Sequence, residues 1–398
     1  MRIVAIMHLA DLSGPAVDLR HWLTPLARTG SLEVLVPGQG AAAALFGPVA
    51  SVGVARYQPL TFPSGLAGLA RSTRLFARDV RLFRRALRRA RPDVVVIATA
   101  VLPAALVAAW LERVPRITYV AEIFDKGFVR SPARSLSGTA VRLLTGGLSS
   151  ALVCCSRTVE AQFGAARGKT TTIYPGVTSE YAAGDRESAR RRLGLAGANP
   201  CLVVVGNLTP GRGQDVVLCA LPLVREVFPD VHCVIAGLPH PRPGDIAYAR
   251  GLERLAGELG VGDAVSLPGL VDPVADLLAA ADVVVNPARF AEPFGRVAIE
   301  AQMAGRPVIA SRVGAIPEVL TDGHDALLVE PDCPEALAGA IVRLWREPEL
   351  RDRLVRNGRE RARRDFAVET SVRSFARVVA AVGAEDAPFR AHPRDGAG

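Results

Sequence analysis

The chain has 398 residues, of which 49% are hydrophobic and 22% are charged, and it contains 37 glycines and 29 prolines. This composition excludes a disordered chain, a collagen-like chain and a small disulfide-stapled peptide, and the length predicts about two to three domains. The net charge is +9, yet only two of the 48 cationic residues are lysines. Because the arginines are spread along the chain and no recognition module is visible, we predict no nucleic-acid partner.

The first half alternates short apolar runs with helical stretches. The runs read RIVAIM, LEVLVP, DVVVIA, RITYVA and ALVCCS, and we predict that the first of them is a buried strand and not a signal peptide. This alternation predicts a parallel sheet with crossover helices. Residues 94–111 carry no charge, but Pro103 divides them, which favours a buried strand and a helix over a membrane span.

The segment between Arg71 and Arg91 has the pattern of a two-faced helix. Apolar residues and arginines each recur at alternating spacings of three and four, which places them on opposite faces. The arginine face contains Arg71, Arg74, Arg78, Arg81, Arg85 and Arg88. One interpretation is a packed helix with solvated arginines, and the other is peripheral contact with an anionic membrane surface.

The pattern of the six cysteines indicates the redox environment of the protein. They form no Cys-x-x-Cys pair, and most of them lie in apolar runs. Unpaired cysteines of this kind are typical of a reducing environment, so the sequence predicts a cytoplasmic protein. The inner face of the cell membrane is the alternative that the arginine helix leaves open.

The strand pattern restarts near Cys201 after a polar stretch, with the runs CLVVVG, VHCVIAG, AVSLPG, DVVVNP and PVIAS. We therefore predict an α/β fold of two Rossmann-like domains, residues 1–183 and 184–365, whose parallel sheets face each other across a cleft. Residues 366–383 are predicted to form a helix that crosses back to the first domain. Residues 384–398 are predicted to be a frayed tail.

Residues 282–320 carry the strongest chemical signal. Glu292 lies in a loop after a strand, a proline follows it, and Glu300 lies on the second turn of the next helix. Backbone N–H groups at the start of that helix, together with the helix dipole, favour an anion or a hydroxyl-rich ligand. The residues expected to supply these N–H groups are Phe294, Gly295 and Arg296.

Three consecutive motifs in this segment resemble the donor-site signature of the retaining GT-B glycosyltransferases of family 4, also called group 1. They read Glu292-Pro293-Phe294-Gly295 with Glu300, then Gly305-Arg306-Pro307-Val308-Ile309-Ala310, then Gly314-Ala315-Ile316-Pro317-Glu318. Residues 203–221 are similar to the family's segment that grips the donor's diphosphate. The resemblance covers residues 201–346. The first half of the chain matches the family only in its alternation of apolar runs and helical stretches.

The resemblance implies the GT-B architecture and an activity. It implies transfer of a sugar, with retention of configuration, from a nucleotide-diphosphate sugar to an unidentified acceptor hydroxyl, without a metal or a cofactor. It implies that Glu300 binds the ribose hydroxyls, that Glu292 lies beside the donor sugar, and that Arg212 binds the diphosphate. The other implied donor-binding positions are Phe294, Gly295, Arg296, Val297, Asn207, Gly206 and Gly237.

Several positions depart from the family pattern. Arg212 stands where a lysine is usual, and Asn207 stands where an arginine is usual. A histidine that many members carry after the strand RITYVA is replaced by Ala121 or Glu122. We therefore predict Glu122 as a catalytic residue beside Glu292 and Arg212. The predicted acceptor-side residues are Gly14, His8 and Asp125.

Two other functions stay open. Asn207 and the missing histidine are also compatible with a non-catalytic nucleotide-sugar-binding or assembly protein, and an epimerase of nucleotide sugars uses the same architecture. The sequence contains neither a Gly-x-Gly-x-x-Gly fingerprint nor a P-loop, which disfavours a dehydrogenase and a P-loop enzyme. Because it also lacks an Asp-x-Asp motif, we predict no metal site.

Overall fold

The structure is a computed structural model that describes residues 1–59, 65–124, 132–166, 168–195 and 197–385. The chain folds into two compact units. The first contains Met1–Gly176 together with the last helix, and the second contains Val177–Ala367. This division falls a few residues before the boundary that the sequence suggested, after residue 183.

The first unit is built around one parallel sheet. Its elements are, in chain order, β1 (Arg2–Ile6), α1 (Gly14–Thr29), β2 (Ser31–Val36), α2 (Ala41–Phe46), β3 (Ser51–Val54), α3 (Gly65–Ala90), β4 (Val94–Ala98), α4 (Pro103–Leu111), β5 (Arg116–Val120), α5 (Pro132–Leu148), β6 (Ala151–Cys154), α6 (Arg157–Glu160) and β7 (Thr170–Thr172). The strand order is β3-β2-β1-β4-β5-β6-β7, and every pairing is parallel.

Burial in this unit follows the predicted patterns. All five residues of β4 are buried, as expected for a central strand covered on both faces by helices. Helix α3 buries Phe83 and Leu87 against the sheet, while its six predicted outward arginines are all exposed. The chain between β4 and α4 turns at Pro103, which occupies the first helical position. In the described part of the chain, no helix is long and apolar enough to cross a bilayer.

The second unit is built around a six-stranded parallel sheet. Its elements are α7 (Arg186–Arg192), β8 (Cys201–Val205), α8 (Gln214–Arg225), β9 (His232–Ala236), α9 (Pro243–Glu258), β10 (Val265–Gly269), α10 (Val274–Ala280), β11 (Val283–Asn286), α11 (Arg296–Met303), β12 (Val308–Ser311), α12 (Ile316–Val319), β13 (Leu327–Val329), α13 (Pro334–Arg346) and α14 (Pro348–Asp365). The strand order is β10-β9-β8-β11-β12-β13. The order reverses at β8 and β11, where a parallel sheet of this kind binds its ligands.

The last helix, α15 (Val368–Glu385), packs on the first unit. Trp22 of α1 donates a hydrogen bond of 2.9 Å from its indole nitrogen to the Ser371 hydroxyl, and its ring stacks on Phe375 at 4.9 Å between centroids. All three side chains are buried, so α15 is part of the first unit's core. Residues 386–398, most of the predicted tail, lie outside the described residues.

Candidate active site

Helix α11 begins at Arg296, which corrects the expected start near Pro293. Gly295 has a φ of +87°, a left-handed conformation that ends the preceding loop and cannot belong to the helix. A Cβ atom there would also lie 2.5 Å from Ile316 Cδ1, so a larger residue would force the Ile316 side chain to move as well as adopt a strained backbone conformation. The first-turn N–H groups therefore belong to Arg296 and Val297. Phe294 is buried and packs edge-to-face on Phe366, so its side chain faces the core.

Glu300 is buried in the second turn of α11 and has two polar partners. Arg296, one turn earlier, donates from Nε to the Glu300 carboxylate at 2.8 Å. The Tyr181 hydroxyl also hydrogen-bonds Glu300, and burial together with the nearby carboxylate raises the pKa of Tyr181. Sequence reasoning missed Tyr181, because it lies in a short 3-10 turn, Ser179–Ala183, far from α11 along the chain.

Glu292 and Arg212 form a second ion pair, in which the carboxylate is buried and the arginine is partly exposed. The distance from Arg212 Nη1 to Glu292 Oε2 is 2.6 Å, and the two side chains are 31% and 8% exposed. The Arg212 guanidinium also lies over the ring of Phe290, 5.0 Å from its centroid. Two of the three predicted catalytic residues are therefore in direct contact, and the half-exposed Arg212 still presents part of its guanidinium to solvent.

The third motif of the signature positions Glu292. Gly314 has a φ of +53°, and a Cβ atom there would lie 2.3 Å from the Glu292 carbonyl oxygen. The next residue, Ala315, donates its N–H to that same oxygen at 2.8 Å. Gly314 is thus required where two backbone segments approach closely, and their contact fixes the loop that carries Glu292.

Arg289 stabilises the loop that carries Arg212 through hydrogen bonds. It donates two hydrogen bonds to the Asp215 carboxylate, at 2.7 and 2.9 Å, and one to the Pro210 carbonyl at 3.2 Å. The Tyr248 hydroxyl donates to the same Asp215 carboxylate at 2.7 Å. Sequence reasoning missed this network, since its partners are far apart along the chain and no spacing links them.

The predicted glycines lie at the carboxyl ends of two adjacent strands. Gly206 follows β8 with a φ of +152°, and Gly237 follows β9 with a φ of +148°. A Cβ atom on Gly237 would lie 2.0 Å from the Gly206 carbonyl oxygen, so the two turns pack backbone to backbone. Asn207 is exposed beside them, with its amide nitrogen 3.2 Å from Nε2 of His240. A neutral amide therefore occupies the position that is a cation in the family pattern.

The first unit carries a different group of polar residues. His8, Thr99 and Glu122 follow β1, β4 and β5, which are neighbours in the sheet. The Glu122 carboxylate accepts the Ala121 N–H at 3.0 Å, and the Thr99 hydroxyl is buried close to it. Burial raises the pKa of Glu122 to about 7 and lowers the pKa of His8 to about 4. Thr99 has a φ of +76°, a rare conformation for a β-branched residue, and no sequence pattern predicted it.

The structure provides no support for a role on the acceptor side for either Gly14 or Asp125. Gly14 is the first residue of α1 and is exposed, and a Cβ atom there would meet nothing within 4 Å. Steric packing therefore does not explain a glycine at this position. Asp125 lies outside the described residues.

Two family models match the chain. Residues 185–361 match the family model of glycosyl transferases group 1, and residues 32–181 match that of glycosyltransferase family 4. The chain belongs to the group 1 glycosyltransferases of family 4, a family with the GT-B fold.

Curated relatives cover part of the chain. A D-inositol 3-phosphate glycosyltransferase of Mycolicibacterium gilvum is 39% identical over 177 residues, which are 44% of this chain and 38% of that protein. A protein of the same name from Streptomyces avermitilis is 34% identical over 237 residues, 57% of this chain and 50% of its own length. The chain thus spans half or less of the length of these relatives.

Solved structures cover nearly all of the chain. HepE (Alr3699) of Anabaena, in complex with UDP and glucose, has a TM-score of 0.80 at 23% identity, covering 96% of this chain and 99% of that one. WaaG, a glycosyltransferase involved in lipopolysaccharide biosynthesis, has a TM-score of 0.71 at 19% identity, covering 94% and 99%. These likenesses confirm the predicted fold class of two Rossmann-like domains.

Proposed function

We propose that the protein is a retaining glycosyltransferase that moves a sugar from a nucleotide-diphosphate sugar to an acceptor hydroxyl. The observation that carries the proposal is the pair of buried carboxylates, Glu292 and Glu300, each held by an arginine beyond the carboxyl ends of the second sheet. The UDP and UDP-glucose complexes of HepE support a nucleotide-sugar donor and make UDP the first nucleotide to test.

Glu300 is assigned to the ribose of the donor. A carboxylate offers about four acceptor sites, and Arg296 and Tyr181 engage it from its own unit. The remaining capacity suits a pair of neighbouring hydroxyls. Hydrogen bonds to a charged acceptor are roughly twice as strong as neutral ones, so this residue should dominate recognition of the nucleoside.

Arg212 is assigned to the diphosphate. Its guanidinium has five N–H donors, and Glu292 engages the Nη1 end, while Phe290 holds the plane of the group. An arginine fork can bind phosphate oxygens in two places and stabilise the charge that develops on the leaving group. The N-terminus of α11 adds its dipole, so the proposal requires no metal ion.

The remaining steps concern the acceptor. In the mechanism that the family implies, the acceptor attacks the same face of the sugar from which the diphosphate leaves, and a donor phosphate oxygen takes the acceptor's proton. No covalent nucleophile is needed. We assign Glu122 to the acceptor side, because a carboxyl with a pKa of about 7 can hold or release a proton near neutral pH.

The first test is a thermal-shift screen against UDP, GDP, ADP and dTDP. The wild type is compared with Glu300→Gln and with Glu258→Gln, a control whose exposed carboxylate lies on α9. A ligand at a hundred times its Kd should stabilise the protein by about 2.7 kcal/mol, and only Glu300→Gln should lose this effect. No shift with any nucleotide would contradict the proposal.

The second test measures transfer. The donor identified in the screen is incubated with a panel of hydroxyl acceptors, including D-inositol 3-phosphate because the curated relatives are named for it. We expect release of the nucleoside diphosphate that depends on the acceptor. Binding without transfer would indicate the non-catalytic protein, and conversion of the donor without an acceptor would indicate an epimerase.

We also propose that the arginine face of α3 contacts an anionic membrane surface. Three arginines of this face, Arg78, Arg81 and Arg85, line a cavity of about 530 Å³ beside the edge strand β3 together with Arg89, so cationic groups and apolar surface lie together. Sedimentation with phosphatidylglycerol and phosphatidylcholine vesicles tests this. A triple glutamine variant at positions 74, 81 and 85 should lose binding to the anionic vesicles. A variant at positions 250, 254 and 353, which removes three exposed arginines of the second unit, should retain it.

A further inference from the structure

Arginines converge on one carboxylate at the amino-terminal edge of the second sheet. Asp282 directly precedes β11, its side chain is 5% exposed, and it forms ion pairs with Arg186 and Arg190 of α7. The Cys201 N–H at the start of β8 also donates to it, at 2.8 Å. Arg190 uses its two other nitrogens on the carbonyls of Ala280 and Ala198. These two arginines are thus anchored by the fold.

Two further arginines lie close to this pair, and no hydrogen bond from their Nε atoms is found among the described residues. Arg306 directly precedes Pro307 and β12, and Arg359 of α14 lies against Gly305, with atoms 3.9 Å from where a Cβ would stand. The Nε atoms of Arg306 and Arg359 are both buried and have no hydrogen-bond partner among the described residues. A buried N–H group without an acceptor is costly, and here two such donors lie in one cluster.

The charges in the cluster do not balance. Besides burial, the groups acting most strongly on Arg306 are the arginines at 186, 190 and 359, opposed by the single carboxylate of Asp282. Their combined effect lowers the pKa of Arg306, which is unusual for a guanidinium. Among these described groups, one carboxylate stands against four guanidinium groups, which is a local excess of positive charge that an anion would neutralise.

We propose that Arg186, Arg190, Arg306 and Arg359 form a binding site for a compact oxyanion of the phosphate class. The site lies at the edge of the sheet opposite to Glu292 and Glu300, because Asp282 and Arg306 precede strands whose carboxyl ends face the donor residues. Guanidinium groups bind phosphate oxygens in paired hydrogen bonds, and the two buried Nε atoms supply donors of that kind. The site would stabilise the second unit without contacting the nucleotide sugar.

The experiment is a titration of the full chain with inorganic phosphate and with pyrophosphate at constant ionic strength, followed by thermal shift. The Tm of the wild type should rise and saturate, and sodium chloride should not reproduce the rise. Arg306→Met and Arg359→Met should weaken phosphate binding at least tenfold. The control Arg254→Met removes an arginine that is 78% exposed on α9, and it should behave as the wild type.

Three further comparisons decide the interpretation. Arg212→Gln should keep the phosphate response, and its loss in that variant would place the anion in the donor site and overturn the proposal. In phosphate-free buffer, Arg306→Met should not lower the Tm, because it removes an unpaired, repelled charge and retains the packing. An equal response in both cluster variants and the wild type would also overturn the proposal. If Arg306→Met fails to fold, Arg359→Met alone decides.

The source of the phosphate group is tested separately. Sedimentation with phosphatidic acid vesicles compares the wild type with Arg359→Met, since a lipid headgroup carries the same chemistry as the free anion. Binding of the soluble anions that depends on Arg359, with vesicle binding that does not, would identify a soluble ligand. Vesicle binding that also depends on Arg359 would identify a lipid phosphate as an alternative source for the same site.

Discussion

The two units solve the problem of a buried carboxyl group in different ways. In the second unit, Glu292 and Glu300 each have an arginine within 2.8 Å. In the first unit, the described hydrogen-bond partner of the Glu122 carboxylate is the backbone N–H of Ala121, and burial raises the pKa of Glu122 to about 7. Each ion pair in the second unit sets an opposite charge beside the carboxylate, whereas a neutral donor only partly offsets the cost of burial.

This difference assigns ligand binding to the arginine-paired carboxylates and proton transfer to Glu122. The arginine-paired carboxylates suit a fixed role, which is to accept hydrogen bonds from the donor or to hold Arg212. Glu122 suits a role in which its charge changes near neutral pH. The comparison therefore predicts that nucleotide binding responds to mutations in the second unit, while pH dependence near neutrality originates in the first.

The largest expected effect is on nucleotide binding in Glu300→Gln. Glutamine preserves the shape but removes the charge, and a hydrogen bond to a charged group contributes about 1.5–3 kcal/mol. We therefore expect UDP to bind about 10- to 100-fold more weakly. Isothermal titration calorimetry measures the effect, with Glu258→Gln as the control. Unchanged affinity in Glu300→Gln would show that the second unit does not bind the nucleoside through this carboxylate.

The next effect concerns pH and Glu122. Its pKa in the folded protein is raised from 4.5 to about 7, so the folded state binds the proton more tightly than the unfolded state. The stabilisation is complete below pH 4.5 and is lost as the pH rises through 7. Relative to Glu122→Gln, the wild type should lose about 1–3 kcal/mol between these limits.

The variant is the reference because His8 acts in the opposite direction. Burial lowers the pKa of His8 from 6.5 to about 4, so its contribution is complete above pH 6.5 and is lost as the pH falls through 4. Both proteins contain His8, and its contribution cancels in the difference between their Tm values. Parallel Tm profiles from pH 4.5 to 8 would show that Glu122 is not desolvated.

The sequence predicted the cores of both sheets and missed three strands at their edges. The ten predicted runs form the central strands and β10, whereas β3, β7 and β13 were not predicted. Each missed strand has three or four residues and lies at a sheet edge. A central strand is buried on both faces and is apolar throughout, but a short edge strand has no such pattern.

The candidate site residues predicted from the sequence are those in the family motifs, whether they are neighbours in one segment, as Glu292 and Glu300 are, or 80 positions apart, as Arg212 and Glu292 are. Glu292 and Glu300 could be assigned from one segment, since a loop and a helix start carry both. The partners of these residues, Tyr181 for Glu300 and Arg289 for the Arg212 loop, come from other segments that the fold brings together. Spacing carries no information about such contacts, and Thr99 gave no signal inside its apolar run.

A smaller effect is expected from Arg212→Lys, which restores the residue usual in the family. Lysine keeps the charge but loses the planar fork and the stacking on Phe290. We expect UDP to bind roughly three- to tenfold more weakly, which corresponds to about 1 kcal/mol. Arg212→Met should bind more weakly still and lower the Tm, because it leaves Glu292 buried without its cation. Equal UDP affinity in the wild type and both variants would show that Arg212 does not bind the diphosphate.

The smallest effect is a gain of affinity in Asn207→Arg. Asn207 is exposed beside Gly206, so an arginine there can reach toward a diphosphate without displacing core residues. Its charge would be partly screened by solvent, and an exposed pair contributes about 0.2–1 kcal/mol, which predicts up to about fivefold tighter UDP binding. The gain should shrink as salt is added, and the neutral control Asn207→Gln should show none. If Asn207→Arg leaves UDP affinity unchanged at low salt, the second unit already neutralises its ligand through Arg212 and the start of α11. The departure at position 207 would then not limit donor binding.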